Sequence, residues 1–368
     1  GTPVAVGPMV LEALRSMEYR GYDSWGVAYV NGSLPGAVIK GVGRVSVDAA
    51  GDASATSAIG HTRWATHGGV CERNAHPHLG PKDRVAVVHN GIIENADGLR
   101  ADLASDAGFA SETDSELMAH LVERHLGDHG ALTSAVDRAF SYIEGNNAFV
   151  VLDRVTGEIV VVTRRLPIRL SRAGDALVLA SDPAALAGVV TTTVAVPDNT
   201  AVSLGTPAGS SEDALRLLAS GKPIAVPDRR VANEGGPAAS IRAEIAEQPS
   251  VLRRIAEDRE VVGAVAAIAR EAKRVVFTGC GSASHAAMYA ADLLADDEGS
   301  VDAVAVPASE ILGRPSLIRD GDVVVALTQS GETADVIDAV SIARERGAST
   351  IGLINADGSS VERLVDVS

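Results

Sequence analysis

The spacing of apolar positions changes along this chain, and the change divides it. Near the start, Val10, Leu14 and Met17 recur at four- and three-residue intervals, which predicts a helix. A glycine-containing turn, Arg20-Gly21-Tyr22-Asp23, ends it. Short apolar runs then alternate with glycine and polar clusters at 26–30, 37–40, 59–62 and 85–88, the pattern of antiparallel strands. A helix is expected from Thr113, because Thr113-x-x-Glu116 has the form of a capping box and Leu117, Met118, Leu121 and Val122 form an apolar stripe behind it. Further strands are read at 148–153, 159–163 and 176–180, the first two joined by a Thr156-Gly157 turn.

From 205 to 236 the pattern loosens into Gly, Pro, Ser and charge, with Gly235-Gly236-Pro237 as the clearest break. Residues 206–240 are therefore read as a linker between a first domain, 1–205, and a second, 241–368. Helices are expected over 241–257 and 259–272. The last hundred residues then alternate strictly. Strands at 275–277, 301–306, 323–327 and 349–354 are interleaved with helices reaching 294 and 346, the signature of an α/β doubly wound parallel sheet.

Composition narrows the partners. The net charge is −16 over 368 residues, and only Lys40, Lys82, Lys222 and Lys273 stand among 32 basic residues. So acidic a surface argues against nucleic acid or an anionic membrane as the main partner. The scarcity of Lys fits either a high-salt cytoplasm or a GC-rich genome. No apolar run reaches membrane-spanning length, and two distant cysteines, Cys71 and Cys280, make neither a disulfide framework nor a zinc site. The expected location is the cytoplasm.

Two loops in the second half carry chemistry. Gly279-Cys280-Gly281-Ser282-Ala283-Ser284 and Thr328-Gln329-Ser330-Gly331-Glu332-Thr333 each join a strand to a helix. Helix N-termini offer unpaired N–H groups, and Ser and Thr add donors, so a phosphorylated small molecule is the natural guest. The plainer reading, ordinary helix caps, is weakened by the recurrence in successive units. The spacing matches no nucleotide fingerprint. These loops resemble those of sugar isomerase (SIS) domains. That resemblance implies sugar-phosphate binding by Thr328, Gln329, Ser330 and Thr333. Where the family commonly has Gly-Thr-Ser, this chain has Gly281-Ser282-Ala283, leaving Ser282 and Ser284 as the hydroxyls of the first loop.

Four polar clusters mark the first half: Tyr19 to Ser24, His61 to Gly68, Asn74 to His78 and His89 to Asn95. Their histidines invite a metal, but the spacing is poor and no carboxylate or thiol completes a set, so no metal and no cofactor are expected. Together the clusters resemble the α+β glutaminase domain of class II, N-terminal-nucleophile amidotransferases, with stacked antiparallel sheets. In that family an N-terminal Cys attacks the glutamine amide with its own α-amine as base. The resemblance implies that Asn90 and Gly91 form the oxyanion hole, and that Arg63 and Asp114 hold the glutamine α-carboxylate and α-ammonium. The same resemblance implies that Thr66 and His67 line the pocket, that Arg20 helps position the nucleophile's loop, and that Trp64 lies on a loop closing over glutamine. Singly, each residue has a plainer reading: Asp114 supporting a cap, Trp64 as core, Asn90-Gly91 as a hairpin turn.

A glutaminase followed by an SIS domain resembles the glutamine:fructose-6-phosphate amidotransferases, the glucosamine-6-phosphate synthases. The resemblance implies glutamine hydrolysis, ammonia transfer to fructose 6-phosphate, isomerisation to glucosamine 6-phosphate, and a homodimer when complete. By the same comparison the nucleophilic Cys and a second SIS domain lie outside this sequence, so this chain alone is expected to be inactive. The alternatives are a non-catalytic homologue that binds glutamine or a phosphosugar, and a related enzyme acting on another sugar phosphate.

Overall fold

The computed structural model describes residues 6–18, 21–31, 36–50, 55–65, 68–104, 108–127, 130–206, 208–226, 236–257, 263, 272–295, 301–355 and 359–368. The chain divides into two compact units, 1–232 and 233–368.

The first unit is layered, and strand alternation explains the layers. Strands β1 (Ser24–Val30), β2 (Ala37–Val42) and β3 (Ser57–Arg63) form an antiparallel sheet in the order β2-β1-β3. All seven residues of β1 are buried, because both faces of this central strand are covered. One face presents Trp25, Val27 and Tyr29 to Leu11 and Leu14 of α1 (Val6–Ser16). Gly60 permits this approach, since a Cβ there would stand 2.7 Å from Val10 Cγ1. The opposite face presents Ala28, Val30 and Ile59 to Ala86, Val88, Ala148 and Val150 of a second sheet.

That second sheet has six strands: β4 (His78–Leu79), β5 (Val85–Gly91), β6 (Asn147–Asp153), β7 (Ile159–Arg164), β11 (Val202–Thr206) and β12 (Gly209–Ser210), in the order β12-β11-β7-β6-β5-β4. Its far face sets Val85, Val87, Phe149 and Val151 against helices α2 (Ala96–Leu103), α3 (Glu116–Leu126) and α4 (Leu132–Phe140). Each fully buried branched or aromatic side chain here contributes about 1.5–3 kcal/mol. A third sheet, β13-β10-β8-β9, comprises β8 (Arg169–Ala173), β9 (Ala176–Ala180), β10 (Thr192–Ala195) and β13 (Ile224–Ala225). The Thr156-Gly157 turn joins β6 to β7, with Gly157 at φ +74°.

Three expectations need correction. The capping box does not form, because α3 begins at Glu116 with Ser115 as its N-cap. Glu116 instead accepts from the Ala110 and Ser111 amides and the Ser111 hydroxyl, while Thr113 turns to His78. The segment read as a linker is not irregular throughout: it contains β12, α5 (Glu212–Ser220) and β13, and Ser211 caps α5 by accepting from the Ala214 amide at 3.1 Å. Strand β5 runs three residues beyond the predicted end, through His89, Asn90 and Gly91.

In the second unit, α6 (Gly236–Glu257) starts at the Gly236-Pro237 break rather than after it. The predicted helix at 259–272 falls almost entirely outside the described residues. Four parallel strands follow in the order β15-β14-β16-β17: β14 (Arg274–Gly279), β15 (Asp302–Ala305), β16 (Val323–Thr328) and β17 (Ser349–Ile354). The helices α7 (Ser282–Ala295), α8 (Ala308–Gly313), α9 (Ala334–Glu345) and α10 (Ser360–Leu364) alternate with them. At the base of the sheet the buried Asp322 carboxylate takes two hydrogen bonds from Arg274, at 3.2 and 2.6 Å, and one from the Arg319 amide at 2.8 Å. The doubly wound parallel sheet is thus present, with the winding order of the strands reversing between β14 and β16.

Candidate functional site

In the first unit the polar cluster sits at one end of the two facing sheets. Alternation along β5 sends Ala86, Val88 and Asn90 toward the three-stranded sheet and Val85, Val87 and His89 toward the helices. Alternation along β3 sends Ser57, Ile59, His61 and Arg63 to the same inter-sheet layer. His61 and Asn90 meet there, Nε2 to Oδ1, at 2.8 Å. An amide oxygen only accepts, so His61 donates, and the two hydrogens of Asn90 Nδ2 remain as the donors of that side chain.

Gly91 follows at the mouth of the strand, exposed, at φ +119°. A Cβ at Gly91 would lie 2.3 Å from the Asn146 carbonyl oxygen, so only glycine fits. Asn90 and Gly91 are no hairpin turn: they pair with Ala148 and Asn147 of β6. On the other face, His89 is buried, stacked on Phe149 at 4.2 Å, and donates Nε2–H to Asn147 Oδ1 at 2.8 Å. Its Nδ1 accepts the Ser115 hydroxyl proton, also at 2.8 Å. Burial lowers the His89 pKa, which keeps the ring neutral in this arrangement.

Asp114 lies beside Ser115, and its Oδ2 accepts the Ile93 amide at 2.8 Å. Arg63 is buried at the end of β3, with Nη1 toward the Gly69 carbonyl. Burial lowers the Arg63 pKa, and the fields of Cys71, Asp23 and Asp114 oppose that shift. A guanidinium with five donors retains its charge in such a place and suits a carboxylate. Trp64 is 59% exposed and packs on Tyr22 with centroids 5.8 Å apart, so it is not core. Asn74, fully buried, fastens the 69–76 loop to the 111–114 loop. It donates to the Gly69 carbonyl and Glu112 Oε2, and accepts from the Glu112 amide. Arg20, Thr66 and His67 lie outside the described residues.

Sequence reasoning gave His61, His76 and His78 no individual role. In the structure their rings form a row. His61 and His76 stand 4.3 Å apart, His76 and His78 4.7 Å, and His78 Nε2 reaches Thr113 Oγ1 at 3.0 Å. Burial, reinforced by neighbouring cationic groups, lowers the His76 pKa well below its usual value and that of His78 to about 3. Among the described residues no group of three or more His, Cys, Asp or Glu side chains is arranged to hold a metal ion.

In the second unit the two hydroxyl-bearing loops leave adjacent strands, since Gly279 is in register with Leu327. They stand at the carboxyl edge of the sheet where the winding reverses, the place where open α/β sheets bind ligands. Ser282 is exposed and opens α7, and Ser284 Oγ donates to the Gly281 carbonyl at 2.7 Å. Thr328 is buried and its hydroxyl accepts the Gly331 amide at 3.1 Å; Ser330 accepts the Glu332 amide at the same distance. Gln329 is exposed, and Thr333 is the N-cap of α9 without a side-chain capping bond. Ser359 and Ser360, which sequence reading left without a role, close the second loop. A Cβ on Gly331 would lie 2.1 Å from Ser359 Oγ, and the Ser360 amide donates to Glu332 Oε1 at 3.0 Å.

Comparison with known proteins bears on both units. Residues 61–188 match the glutamine amidotransferase domain family, and residues 268–368 match the SIS domain family. The chain is 37% identical over 384 residues to the glutamine–fructose-6-phosphate aminotransferase (isomerizing) of Symbiobacterium thermophilum. It is 33% identical over 379 residues to that of Chlorobaculum tepidum and 34% over 377 to that of Halobacterium salinarum. These alignments cover 97–98% of this chain, which spans 61% of the length of each relative. A solved C-terminal domain of the glucosamine–fructose-6-phosphate aminotransferase of Francisella tularensis aligns at 25% identity and TM-score 0.33, covering 37% of this chain and 40% of that one.

Proposed function

This chain is related along nearly all of its length to the glutamine–fructose-6-phosphate aminotransferases, and from that premise we propose that it forms the glutaminase and first phosphosugar-binding portion of such an enzyme. The proposed reaction releases ammonia from L-glutamine and adds it to fructose 6-phosphate, giving glucosamine 6-phosphate. The observation that carries the reading is the Asn90 amide, held with its donors available beside Gly91 and in the same cluster as Arg63 and Asp114. Amide hydrogens of Asn90 left for a ligand suit the oxyanion that forms when a glutamine amide is attacked. Arg63 and Asp114 are complementary to the carboxylate and ammonium at the other end of an amino acid. The nucleophile is assigned to an N-terminal Cys of the full-length protein.

In the second unit, Ser282, Ser284, Thr328, Gln329, Ser330 and Thr333 are proposed as sugar-phosphate ligands, supported by adjacent loops at two helix N-termini. We place the two domain cores within 1–205 and 241–368, with β12, α5 and β13 of the intervening segment packed on the first, the protein in the cytoplasm, and the complete enzyme as a homodimer. The test is to purify the full-length protein from its own gene and follow glutamate and glucosamine 6-phosphate together. Fructose 6-phosphate-dependent formation of both supports the reading. Binding of glutamine or phosphosugar without turnover would show a non-catalytic homologue instead.

A further inference from the structure

The Asn90 side chain poses a problem that the sequence conceals. A carboxamide is nearly symmetric in shape, so its oxygen and nitrogen exchange places by a half-turn about χ2. In one orientation Asn90 presents two N–H donors to the ligand side. In the other it presents an oxygen, which would repel a developing oxyanion. Only a neighbour that donates to one end fixes the choice, and His61 does so as its Nε2–H tautomer, with Nε2 2.8 Å from Oδ1. We infer that His61 is a positioning residue: its Nε2–H holds Asn90 Oδ1 away from the reacting centre and keeps the amide nitrogen toward it. This rests on the glutaminase reading and deepens it.

The placement of His61 supports the role. It stands on β3 opposite Gly26, whose lack of a Cβ lets the His76 carbonyl pass 2.2 Å from where that atom would be. The His76 loop can therefore lie against the sheet, bringing the His76 ring to 4.3 Å from that of His61. His76 in turn meets His78, and His78 holds Thr113, the neighbour of Asp114. One row of rings thus spans from the group that orients Asn90 to the loop that carries Asp114. Burial is the main cause that keeps His76 and His78 neutral, so these two rings pack against each other without charge repulsion.

The test compares glutamine hydrolysis by full-length wild type, His61→Phe, His61→Gln, Asn90→Ala and the double variant His61→Phe/Asn90→Ala. Phe keeps a ring but has no donor; the Gln amide nitrogen reaches nearly as far as Nε2. The expected result is a kcat fall of about ten- to a hundredfold for His61→Phe, with the glutamine KM within about twofold of wild type. His61→Gln retains most of the activity, and the double variant is no slower than Asn90→Ala alone. A His61→Phe enzyme at wild-type kcat, or a double variant slower by the product of the two single effects, overturns the inference while leaving the glutaminase reading intact. Equal losses in His61→Phe and His61→Gln, with a matching fall in thermal stability, overturn it as well. A wild-type protein that hydrolyses no glutamine removes the reading itself, and the inference with it.

Discussion

The Ser115 hydroxyl donates to Nδ1 of His89 across 2.8 Å, joining strand β5 to the first turn of α3 from within the core. Asn147 accepts from the other ring nitrogen, so the imidazole uses both nitrogens and has no room for a second proton. Removing it leaves the buried Asn147 Oδ1 without its donor and the Ser115 hydroxyl with only the longer bond to Asp114 Oδ1, at 3.4 Å. His89→Leu is expected to lower stability by about 2–4 kcal/mol, read by urea denaturation. A loss under 0.5 kcal/mol would mean that water replaces the ring.

Buried neutral histidines make stability depend on pH. The pKa values of His76, His78 and His89 are all lowered by burial, that of His78 to about 3. In the unfolded chain each titrates near 6.5. Above that value neither state holds the proton and these groups contribute no pH dependence. Below it the unfolded state binds protons that the folded state cannot, so stability falls as pH drops. Each histidine contributes a slope of up to about 1.4 kcal/mol per pH unit. Glu116 acts in a different window. Burial opposes its ionisation, but bonds from His120, Ser111 and Ala110 outweigh burial and hold its pKa at about 2, so its contribution is lost only below about pH 4.5. Melting temperatures measured from pH 7.5 to 5 should fall, and a triple variant replacing these histidines with neutral residues should flatten that slope.

Gly91→Ala should be severe. At φ +119° an added Cβ would meet the Asn146 carbonyl, and the strand end would shift with it. A stability loss of about 2 kcal/mol or more is expected, together with glutaminase kcat below a tenth of wild type. Wild-type kcat in this variant would remove Gly91 from the proposed oxyanion hole.

Arg63→Lys tests substrate recognition separately from chemistry. Lysine preserves the charge but lacks the planar pair of donors that a carboxylate accepts. The glutamine KM should rise about tenfold or more with kcat changed far less. The opposite pattern would place Arg63 in the chemical step.

Asp322→Asn probes the second unit. Arg274 is largely buried and would keep its charge without a full counter-charge. About 3 kcal/mol should be lost from the unfolding transition of this unit, measured by calorimetry. An unchanged transition would show that solvent reaches the guanidinium.

The parallel half is the more legible because its pattern is local: β14 and β16 follow from unbroken Val-rich runs. In the first half, the apolar pattern predicts β5 only to Val88, because His89, Asn90 and Gly91 have the composition of a loop and are held in the strand by pairing with β6. Strand β8 leaves no apolar signal because Arg169 and Arg172 interrupt it, although Arg169 is itself buried. Helix α5 is hard to tell from a linker because surrounding Gly and Pro mask its Ser211 cap. The composition of the polar clusters was visible from the start. The row formed by His61, His76 and His78 was not, since two sheets must face each other before those rings can meet.

Consecutive residues of β5 serve different layers: His89 braces the helical side, while Asn90 faces the neighbouring sheet. The strand therefore works as a ruler graduated in single peptides. Losing or gaining one residue between 85 and 88 would exchange the two side chains, sending the carboxamide into the helices and the imidazole into the inter-sheet layer. A library of one-residue insertions and deletions should show a sharply intolerant window there, while changes of any length near the Thr156-Gly157 turn should be accepted far more readily.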